Sequence, residues 1–378
     1  MYKSIPFFLA LWFFAFISNA TTRTVLNFPS GLAQYNTLQA AVDASAHGDT
    51  IVVHGSPIVY AGCTIADKKI ILIGPGFSPE KNNPQTAKVN TNININAFTN
   101  VVGNADGCAI HGMDFISNAN IQINQASING EVVKNITINK NSFANIGLTL
   151  GTLTNATYSG YIISNNYFRY SAIAGGTTTI VENMLIKNNV FYSATGGSRL
   201  FKGMNNTIGV FIDHNLFYQA TSSNSLLFAA FNSGEKCSNL ILSNNIFCGM
   251  KNVDQCLNST FINNVFYDCV SNTPWTANGN IDGGGNLSSV NPMLVDQNAV
   301  DGGTNNPLLN FKPTSSSPCL NAGNDGKDIG LLYEENTSYD YTQARNSILP
   351  YIVLMYLNKG VITKGETIQL NLNARKSK

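Results

Sequence analysis

The sequence predicts an all-β solenoid, in which short strands stack coil upon coil, and three observations lead to this prediction. A motif of an apolar residue, an asparagine three positions later and a phenylalanine two positions after that recurs six times in the 378 residues. The asparagines are 25, 23, 26, 30 and 19 residues apart, as expected when each coil carries one loop of variable length. Residues within the motif alternate between apolar and polar, and no helical period separates its copies. The motif asparagines are Asn141, Asn166, Asn189, Asn215, Asn245 and Asn264, and the aromatic residues that follow are Phe143, Phe168, Phe191, Phe217, Phe247 and Phe266.

Each part of the motif has a mechanical role in the predicted coil. The apolar position, such as Ile163, belongs to a strand with one buried face. Asparagine tolerates the left-handed backbone region, so Asn166 can turn the chain and direct Phe168 inward from the next strand. Stacked coils place equivalent asparagines about 4.8 Å apart, where their amides can form a hydrogen-bonded ladder. One position before the asparagine, His214 stands where four other coils have asparagine, and we interpret it as a turn residue, not a base.

The N-terminus is typical of a secretory signal peptide. Lys3 supplies a positive charge, residues 7–17 are apolar, and Ser18–Ala20 offer small residues at a cleavage site. The apolar run is short for a transmembrane helix. Residues 1–20 are therefore predicted to be removed, with an uncleaved anchor as the alternative. The mature protein is expected to be exported to the periplasm, the cell surface or the medium, without a membrane span.

Composition excludes some partners. Charged residues are 11% of the chain, against about 25% in an average domain, and the net charge is +1. Nucleic acid is a poor candidate because phosphate binding needs clustered Lys and Arg. None of the seven cysteines forms a C-x-x-C pair, which argues against a zinc ribbon.

Two cysteines share a position in the repeat. Cys237 and Cys256 each lie five residues before the apolar position of their coil, at Leu242 and Phe261. Equivalent positions on neighbouring coils lie about 4.8 Å apart, within the Cα separation that a disulfide allows. In an oxidising compartment this predicts a Cys237–Cys256 disulfide. The alternative is a pair of stacked, buried thiols.

Both ends of the repeat region resemble a known class. "YNTLQAAVDASAHGDTIVVHGSPIVYAG" (35–62) has a short amphipathic helix pattern ended by Gly48, and "FKPTSSSPCLNAGNDGKDIG" (311–330) follows "SSVNPMLVD" (288–296). With the repeat, these segments resemble secreted right-handed parallel β-helix proteins of the pectate-lyase-like class, of bacterial type. The resemblance implies that residues 21–330 form a right-handed parallel β-helix with a short N-terminal capping helix.

The residues after 330 lack the repeat motif and have a different sequence pattern. "TIQLNLNA" within residues 367–374 alternates like a strand, and residues 349–376 are expected to form two or three strands. We predict that residues 331–378 form a C-terminal β-strand cap or tail on the last coil, since solenoids need their open edges covered. A small sorting or attachment module is the alternative.

The resemblance also implies a class of function. The β-helix scaffold hosts lyases, hydrolases, adhesins and binding modules. We expect a monomer that binds or cleaves a polysaccharide or cell-surface glycan, most plausibly in a lyase-like way. A non-catalytic surface or adhesion solenoid is the alternative, and the low charge of the chain favours it.

Lyases of this class abstract a proton beside a carboxylate. They use Arg or Lys as the base and often hold Ca²⁺ with several carboxylates. "GGSRLFKGMNN" (196–206) matches the strand that faces the substrate groove. Neither a metal site nor a cofactor is evident; Ca²⁺ stays open as an alternative, but the sparse carboxylates of the central coils form no acidic cluster to support it. The candidate catalytic residues are Arg199, Lys202, Glu182 and Asp213, with scattered surface charges as the alternative.

A second candidate site is a pair of carboxylates. Glu235 and Asp254 each lie seven residues before the apolar position of their coil, so they are expected to stack. Such a pair could hold a cation or act as acid and nucleophile. The alternative is a solvated loop edge.

A third candidate is a row of side chains beside the inward phenylalanines. Tyr192, Tyr218, Tyr267 and Arg169 all follow a motif phenylalanine directly, so they are expected to face outward. Exposed tyrosines on a flat strand face are suited to stacking on sugar rings. The alternative is that longer loops fold over them.

Overall fold

The computed structural model describes most of the chain between residues 20 and 376. The predicted signal peptide lies outside the described residues, except for Ala20. Among the described residues, no helix is long and apolar enough to span a bilayer. The described ranges are 20–28, 32–77, 85–97, 105–123, 133–151, 156–175, 179–193, 199–220, 226–229, 236–251, 253–334, 337–341, 350–357 and 370–376.

The chain forms a parallel β-helix. In the central coils it passes from sheet A to sheet B and then to sheet C, and strands of successive coils pair in parallel. The strands of sheet A are Thr22–Val25, Thr50–Val53, Ile71–Ile73, Ala109–His111, Thr137–Asn139, Ile162–Ser164, Leu185–Lys187, Val210–Asp213, Leu240–Ser243, Thr260–Ile262 and Ile281–Asp282. Those of sheet B are Lys88–Val89, Asp114–Phe115, Ser142–Phe143, Tyr167–Phe168, Val190–Ser193, Leu216–Gln219, Ile246–Cys248, Val265–Tyr267 and Leu287–Ser288. Those of sheet C are Thr64–Ala66, Ile93–Asn96, Ile121–Ile123, Ile146–Leu150, Ser171–Ala174, Arg199–Lys202 and Leu226–Ala229.

Smaller elements complete the architecture. In the middle coils a fourth sheet, sheet D, connects sheet C to the next strand of sheet A. Its strands are Thr157–Ser159, Ile180–Glu182 and Asn206–Ile208. The remaining elements are the helices Leu38–Ala44 and Gln297–Asp301, the 3-10 turn Pro274–Thr276 and an antiparallel hairpin of Pro350–Leu357 with Leu370–Lys376.

The repeat predicts the register of sheet A residue by residue. The apolar positions pair directly from coil to coil, and their side chains are buried in the interior of the solenoid. The motif phenylalanines stack beneath sheet B, with neighbouring ring centroids 4.6–5.0 Å apart. The stacked-coil prediction is confirmed. The paired apolar residues are Ile138, Ile163, Ile186, Ile212, Leu242 and Phe261.

The motif asparagines form the predicted ladder at the corner between sheets A and B. Oδ1 of Asn189 accepts from the backbone N–H of Asn166 at 2.9 Å and from its Nδ2 at 3.0 Å. Nδ2 of Asn189 donates to the carbonyl of Ile163 and to Oδ1 of Asn215. The same pattern continues through Asn264 to a further member, Asn286. The ladder thus satisfies backbone groups that the turn leaves buried without strand partners.

The sharp turn, however, is made one residue earlier than predicted. The residue before each ladder asparagine has a positive φ, and the ladder asparagine does not. The ladder side chain has to reach into the coil interior and bond to both neighbouring coils, so the left-handed turn is left to the preceding residue. His214, with φ 52°, is confirmed as a turn residue. The others at this position are Lys140, Asn165, Asn188, Asn244 and Asn263.

The N-terminal helix caps the first coil as expected. The helix Leu38–Ala44 begins after Thr37, whose hydroxyl accepts from the N–H of Ala40 at 3.1 Å. Leu38, Ala41 and Val42 are buried against the first strands. Gly48 follows with φ 91°, a conformation that favours glycine.

After the last paired coil the chain turns back along the outside of the solenoid. We call residues 289–334 and 337–341 the strap. Its backbone bonds to the turn side chains one coil at a time, from Asn263 (to the carbonyl of Ala322, 2.7 Å) back to Asn165 (to the carbonyl of Ser338, 2.9 Å). Between these, Asn188 Oδ1 accepts from the N–H of Leu332 at 2.7 Å. The turn residues therefore form a rail that holds the strap.

The C-terminal prediction is answered in part. Within the segment that we assigned to an end cap, Leu332 and Ser338 instead bond to the rail along the side of the coils. The strands predicted within residues 349–376 are present as the antiparallel hairpin. Its role in covering the last coil stays a prediction.

Candidate functional site

The outer face of sheet B is covered where sugar-stacking tyrosines were predicted. Tyr192 is 4% exposed and Tyr218 is fully buried. Their hydroxyls donate to strap carbonyls, Tyr192 to Gly303 at 2.9 Å and Tyr218 to Thr304 at 3.0 Å. The prediction of an exposed tyrosine row is therefore wrong for these two residues, because the strap packs over them.

The other two members of that row lie at its ends. Tyr267 is partly exposed and lines an open cleft of about 380 Å³ with Lys251, Asp268 and Asp301. Arg169 is partly exposed at the edge nearer the N-terminus. The four residues do share one column of sheet B, but they do not form one exposed surface.

The four predicted catalytic residues lie on three different sheets. Arg199 and Lys202 belong to one strand of sheet C, Glu182 ends a strand of sheet D, and Asp213 ends a strand of sheet A. Lys202 is half-buried on the outer face of its sheet. Of the four, only Arg199 and Lys202 belong to the same strand, and Glu182 and Asp213 belong to other sheets.

Asp213 already has partners on sheet A. Its carboxylate accepts from Lys187 Nζ at 2.7 Å, from Ser243 Oγ at 2.7 Å and from Asn244 Nδ2 at 2.9 Å. These contacts join three successive coils. Asp213 is thus part of a structural network at the rail.

The predicted disulfide is absent. Cys237 and Cys256 are aligned on neighbouring coils, as their following residues pair, but both are buried thiols. Their sulfur atoms point to different acceptors, Cys237 to the carbonyl of Phe201 and Cys256 to that of Val253. Burial raises the pKa of Cys256 to about 12. The alternative of stacked thiols is what the structure shows.

The proposed carboxylate pair is described only in part. Glu235 lies outside the described residues, and Asp254 is partly exposed on its loop. Across the described ranges, no group of three His, Cys, Asp or Glu side chains is arranged to hold a metal ion.

Sheet C presents a row of polar side chains on its outer face. Strand register aligns one outward position on each of seven coils. The residues between them, such as Ile95, Ile123 and Leu148, are fully buried, so this column faces away from the core. We call this column the sheet C row, and its members are Thr64, Asn94, Gln122, Thr149, Ala174, Lys202 and Ala229.

The row offers donors and acceptors at a regular spacing. Thr64, Asn94, Gln122, Thr149 and Lys202 are all half-buried, so each side chain keeps contact with solvent. Thr149 Oγ1 is held in place by Asn120 Nδ2 at 2.8 Å. Neighbouring members lie about 4.8 Å apart, the spacing of hydrogen-bonded strands. An extended ligand running along the solenoid axis would meet one polar side chain per coil from Thr64 to Thr149 and another at Lys202, with Ala174 between them.

Sequence reasoning found only Lys202 of this row. The repeat motif covers the corner between sheets A and B, whereas the strands of sheet C carry no shared residue that would align them. A weaker signal was available in "INI" (93–95) and "IQI" (121–123), where a polar residue stands between two buried isoleucines.

Comparisons with known proteins add little beyond the fold. No family model and no curated protein matches the chain. Among solved structures, a mutant of the PL6 family alginate lyase AlyGC is similar, with a TM-score of 0.24 and 9% identity over 79% of this chain and 58% of that one. The chain thus spans under two thirds of that protein's length. Function has to be argued from the residues of this chain.

Proposed function

We propose that this protein binds an extended polysaccharide along the sheet C row. The observation that carries the proposal is the in-register column of half-buried Thr, Asn and Gln side chains on the outer face of sheet C. Each sugar residue in an extended chain adds a length close to the distance between two neighbouring strands, about 4.8 Å. Each of the four coils from Thr64 to Thr149 can then offer one hydrogen-bonding side chain to one sugar.

Binding is favoured over cleavage by the charges of the row. A lyase needs a base and a group that neutralises the substrate carboxylate, close together. Among its members Lys202 is the one cation. Lyase-like cleavage is the second candidate, and the observation that favours it is the Lys202 cation on the outer face of sheet C.

The test is a binding titration against neutral and acidic polysaccharides. We expect the triple variant Asn94→Ala/Gln122→Ala/Thr149→Ala to bind at least about tenfold more weakly, a loss of about 1.4 kcal/mol. The matched control is Thr137→Ala/Thr260→Ala on the outer face of sheet A, where both threonines are also half-buried. Equal binding by the triple variant and the control would remove the proposal.

Cleavage is tested separately with the same panel. A lyase would release an unsaturated product that absorbs in the ultraviolet, and Lys202→Ala would abolish the signal. If no polysaccharide gives that product while binding persists, the protein is a binding module.

We also propose that the protein acts outside the cytoplasm. The proposal rests on the signal-peptide pattern of residues 1–20. N-terminal sequencing of the mature protein should begin at Thr21, and an intact Met1 in the exported fraction would contradict cleavage.

A further inference from the structure

A buried carboxylate lies where the first strand of the solenoid meets the N-terminal cap. Asp49 is 1% exposed and stands between the cap helix and the strand Thr50–Val53. Its Oδ2 accepts from the backbone N–H of Ala46 at 2.9 Å and from Arg23 Nε at 3.1 Å. Its Oδ1 accepts from the backbone N–H of Thr21 at 2.7 Å. The carboxylate therefore joins the first strand to the loop that follows the cap helix.

Strand pairing holds Thr21 in this position. The Thr50 N–H donates to the carbonyl of Thr21 at 2.9 Å, and the next residue, Thr22, pairs in register with Thr50. The distance of 2.7 Å between the Thr21 nitrogen and Asp49 Oδ1 lies in the range of charge-assisted hydrogen bonds, which are shorter and stronger than neutral ones. The Thr21 nitrogen therefore stays beside the carboxylate as long as the first strand is paired.

Asp49 carries its negative charge at neutral pH. Burial raises the pKa of Asp49, but its hydrogen bonds and the Arg23 guanidinium outweigh burial and hold that pKa below its ordinary value. The guanidinium is shared, since it also donates to the Tyr35 hydroxyl at 3.0 Å. A charge removed from water costs free energy unless it is well paired. A further cation on the Oδ1 side would therefore stabilise the folded chain.

Thr21 is also the first residue after the predicted cleavage point. Ala20 and Thr21 are both exposed, so the peptide bond between them lies at the surface. Hydrolysis of that bond consumes one water molecule, leaves a carboxylate on Ala20 and converts the neutral Thr21 amide nitrogen into an ammonium group. The cation would form at the atom that already contacts Asp49 Oδ1.

We propose that removal of the signal peptide completes the N-terminal cap, because the new α-ammonium group of Thr21 forms an ion pair with the buried carboxylate of Asp49. The inference rests on the proposed cleavage after Ala20. The ion pair exists only in the processed chain, so the first coil gains its last charged contact after export.

The test compares the mature chain, which begins at Thr21, with a chain that begins at Ala20. In the second chain the ammonium group is one residue away and a neutral amide faces Asp49. The mature chain should melt about 3 °C higher. Asp49→Asn in both chains should remove this difference, because the paired charge is gone. The matched control is Asp43→Asn, which removes an exposed carboxylate of the cap helix and should leave the difference unchanged.

A second measurement does not depend on the folding of the Asp49 variant. An amine-reactive reagent labels the unprotonated amine, and an ion pair favours the protonated form. The α-amine of the mature chain should therefore be labelled several-fold more slowly at neutral pH than that of the chain beginning at Ala20, as followed by mass spectrometry of the N-terminal peptide.

Failure of the ion pair and failure of the cleavage give different results. A different first residue in the exported protein would refute cleavage after Ala20, whereas the two purified chains report on the ion pair in either case. Equal melting temperatures of the two unsubstituted chains, equal labelling rates, or a difference in melting temperature that persists in Asp49→Asn would overturn the proposal.

Discussion

The outer faces of sheets B and C are built on the same stack of coils but meet different surroundings. Beyond Tyr167, the outer face of sheet B carries the apolar residues Val190, Leu216 and Ile246. The strap buries them in a second hydrophobic cluster. Sheet C presents Gln122 and Thr149 at equivalent outward positions, and both keep contact with solvent. The strand pattern of each coil determines which residues face the interior. The segments that pack on the outer faces determine which outward side chains stay exposed to a ligand.

The strap makes this difference. It forms hydrogen bonds with the turn residues along the corner of sheets A and B, and it lies over the neighbouring sheet B. Sheet C is across the coil from that rail. A surface for ligands is therefore expected where the strap does not reach.

The largest expected effect comes from disrupting the asparagine ladder, which supports the coils that carry both faces. Asn189→Leu should lower the free energy of unfolding by about 5 kcal/mol, because it removes the buried bonds that the Asn189 amide makes to the Asn166 N–H, to the Asn166 Nδ2 and to the Ile163 carbonyl. Chemical denaturation measures the loss. Asn94→Ala on sheet C is the control and should change stability by under about 0.5 kcal/mol. Similar effects at the two asparagines would contradict the ladder's role.

A smaller effect is expected from opening the covered face. Tyr218→Ala removes a ring packed against Phe311 of the strap and should cost about 3 kcal/mol. Tyr218→Phe keeps the ring and should cost about 1 kcal/mol for the lost bond to Thr304. Limited proteolysis should cut the strap faster in the alanine variant. Equal proteolysis rates would show that the strap is held in another way.

The smallest effect is a pH dependence of stability that comes from Lys140, the turn residue of the first motif coil. Lys140 occupies a turn position with φ 60°, and burial lowers its pKa to about 8, although Asp340 opposes the shift. The unfolded chain therefore binds more protons between about pH 8 and the ordinary lysine pKa near 10.5, and stability should rise with pH across that window.

The rise is expected to be about 2 kcal/mol and is measured by chemical denaturation at about pH 7 and about pH 10. Lys140→Asn, which takes the residue most other coils use, should show no rise from this site. Lys134→Asn is the control and should keep it. A rise of the same size in Lys140→Asn would assign the pH dependence to another group.

The interior of the solenoid could be predicted from sequence because its determinants are local and repeated. Ile163, Asn166 and Phe168 recur in the same spacing in every central coil, and each contacts its own copy on the next coil. Such contacts follow from the repeat alone. The Asn286 ladder position was missed because its coil lacks the motif phenylalanine, with Ser288 in its place.

The outer faces could not be predicted in the same way. Tyr218 is buried by Thr304 and Phe311, more than eighty residues later, and nothing near Tyr218 announces that contact. Asp213 was predicted to be a candidate catalytic residue, yet Lys187 and Ser243 on its own sheet bind it. Cys237 and Cys256 share a position, but register fixes backbones and not the direction of two sulfur atoms.

The most direct test is a crystal structure of the protein with a bound oligosaccharide from the polysaccharide that it binds best. We expect the sugar residues to run along the solenoid axis on the sheet C row, about one per coil, with hydrogen bonds to Gln122 and Thr149. An oligosaccharide seated elsewhere, with the sheet C row still in contact with solvent alone, would contradict the account.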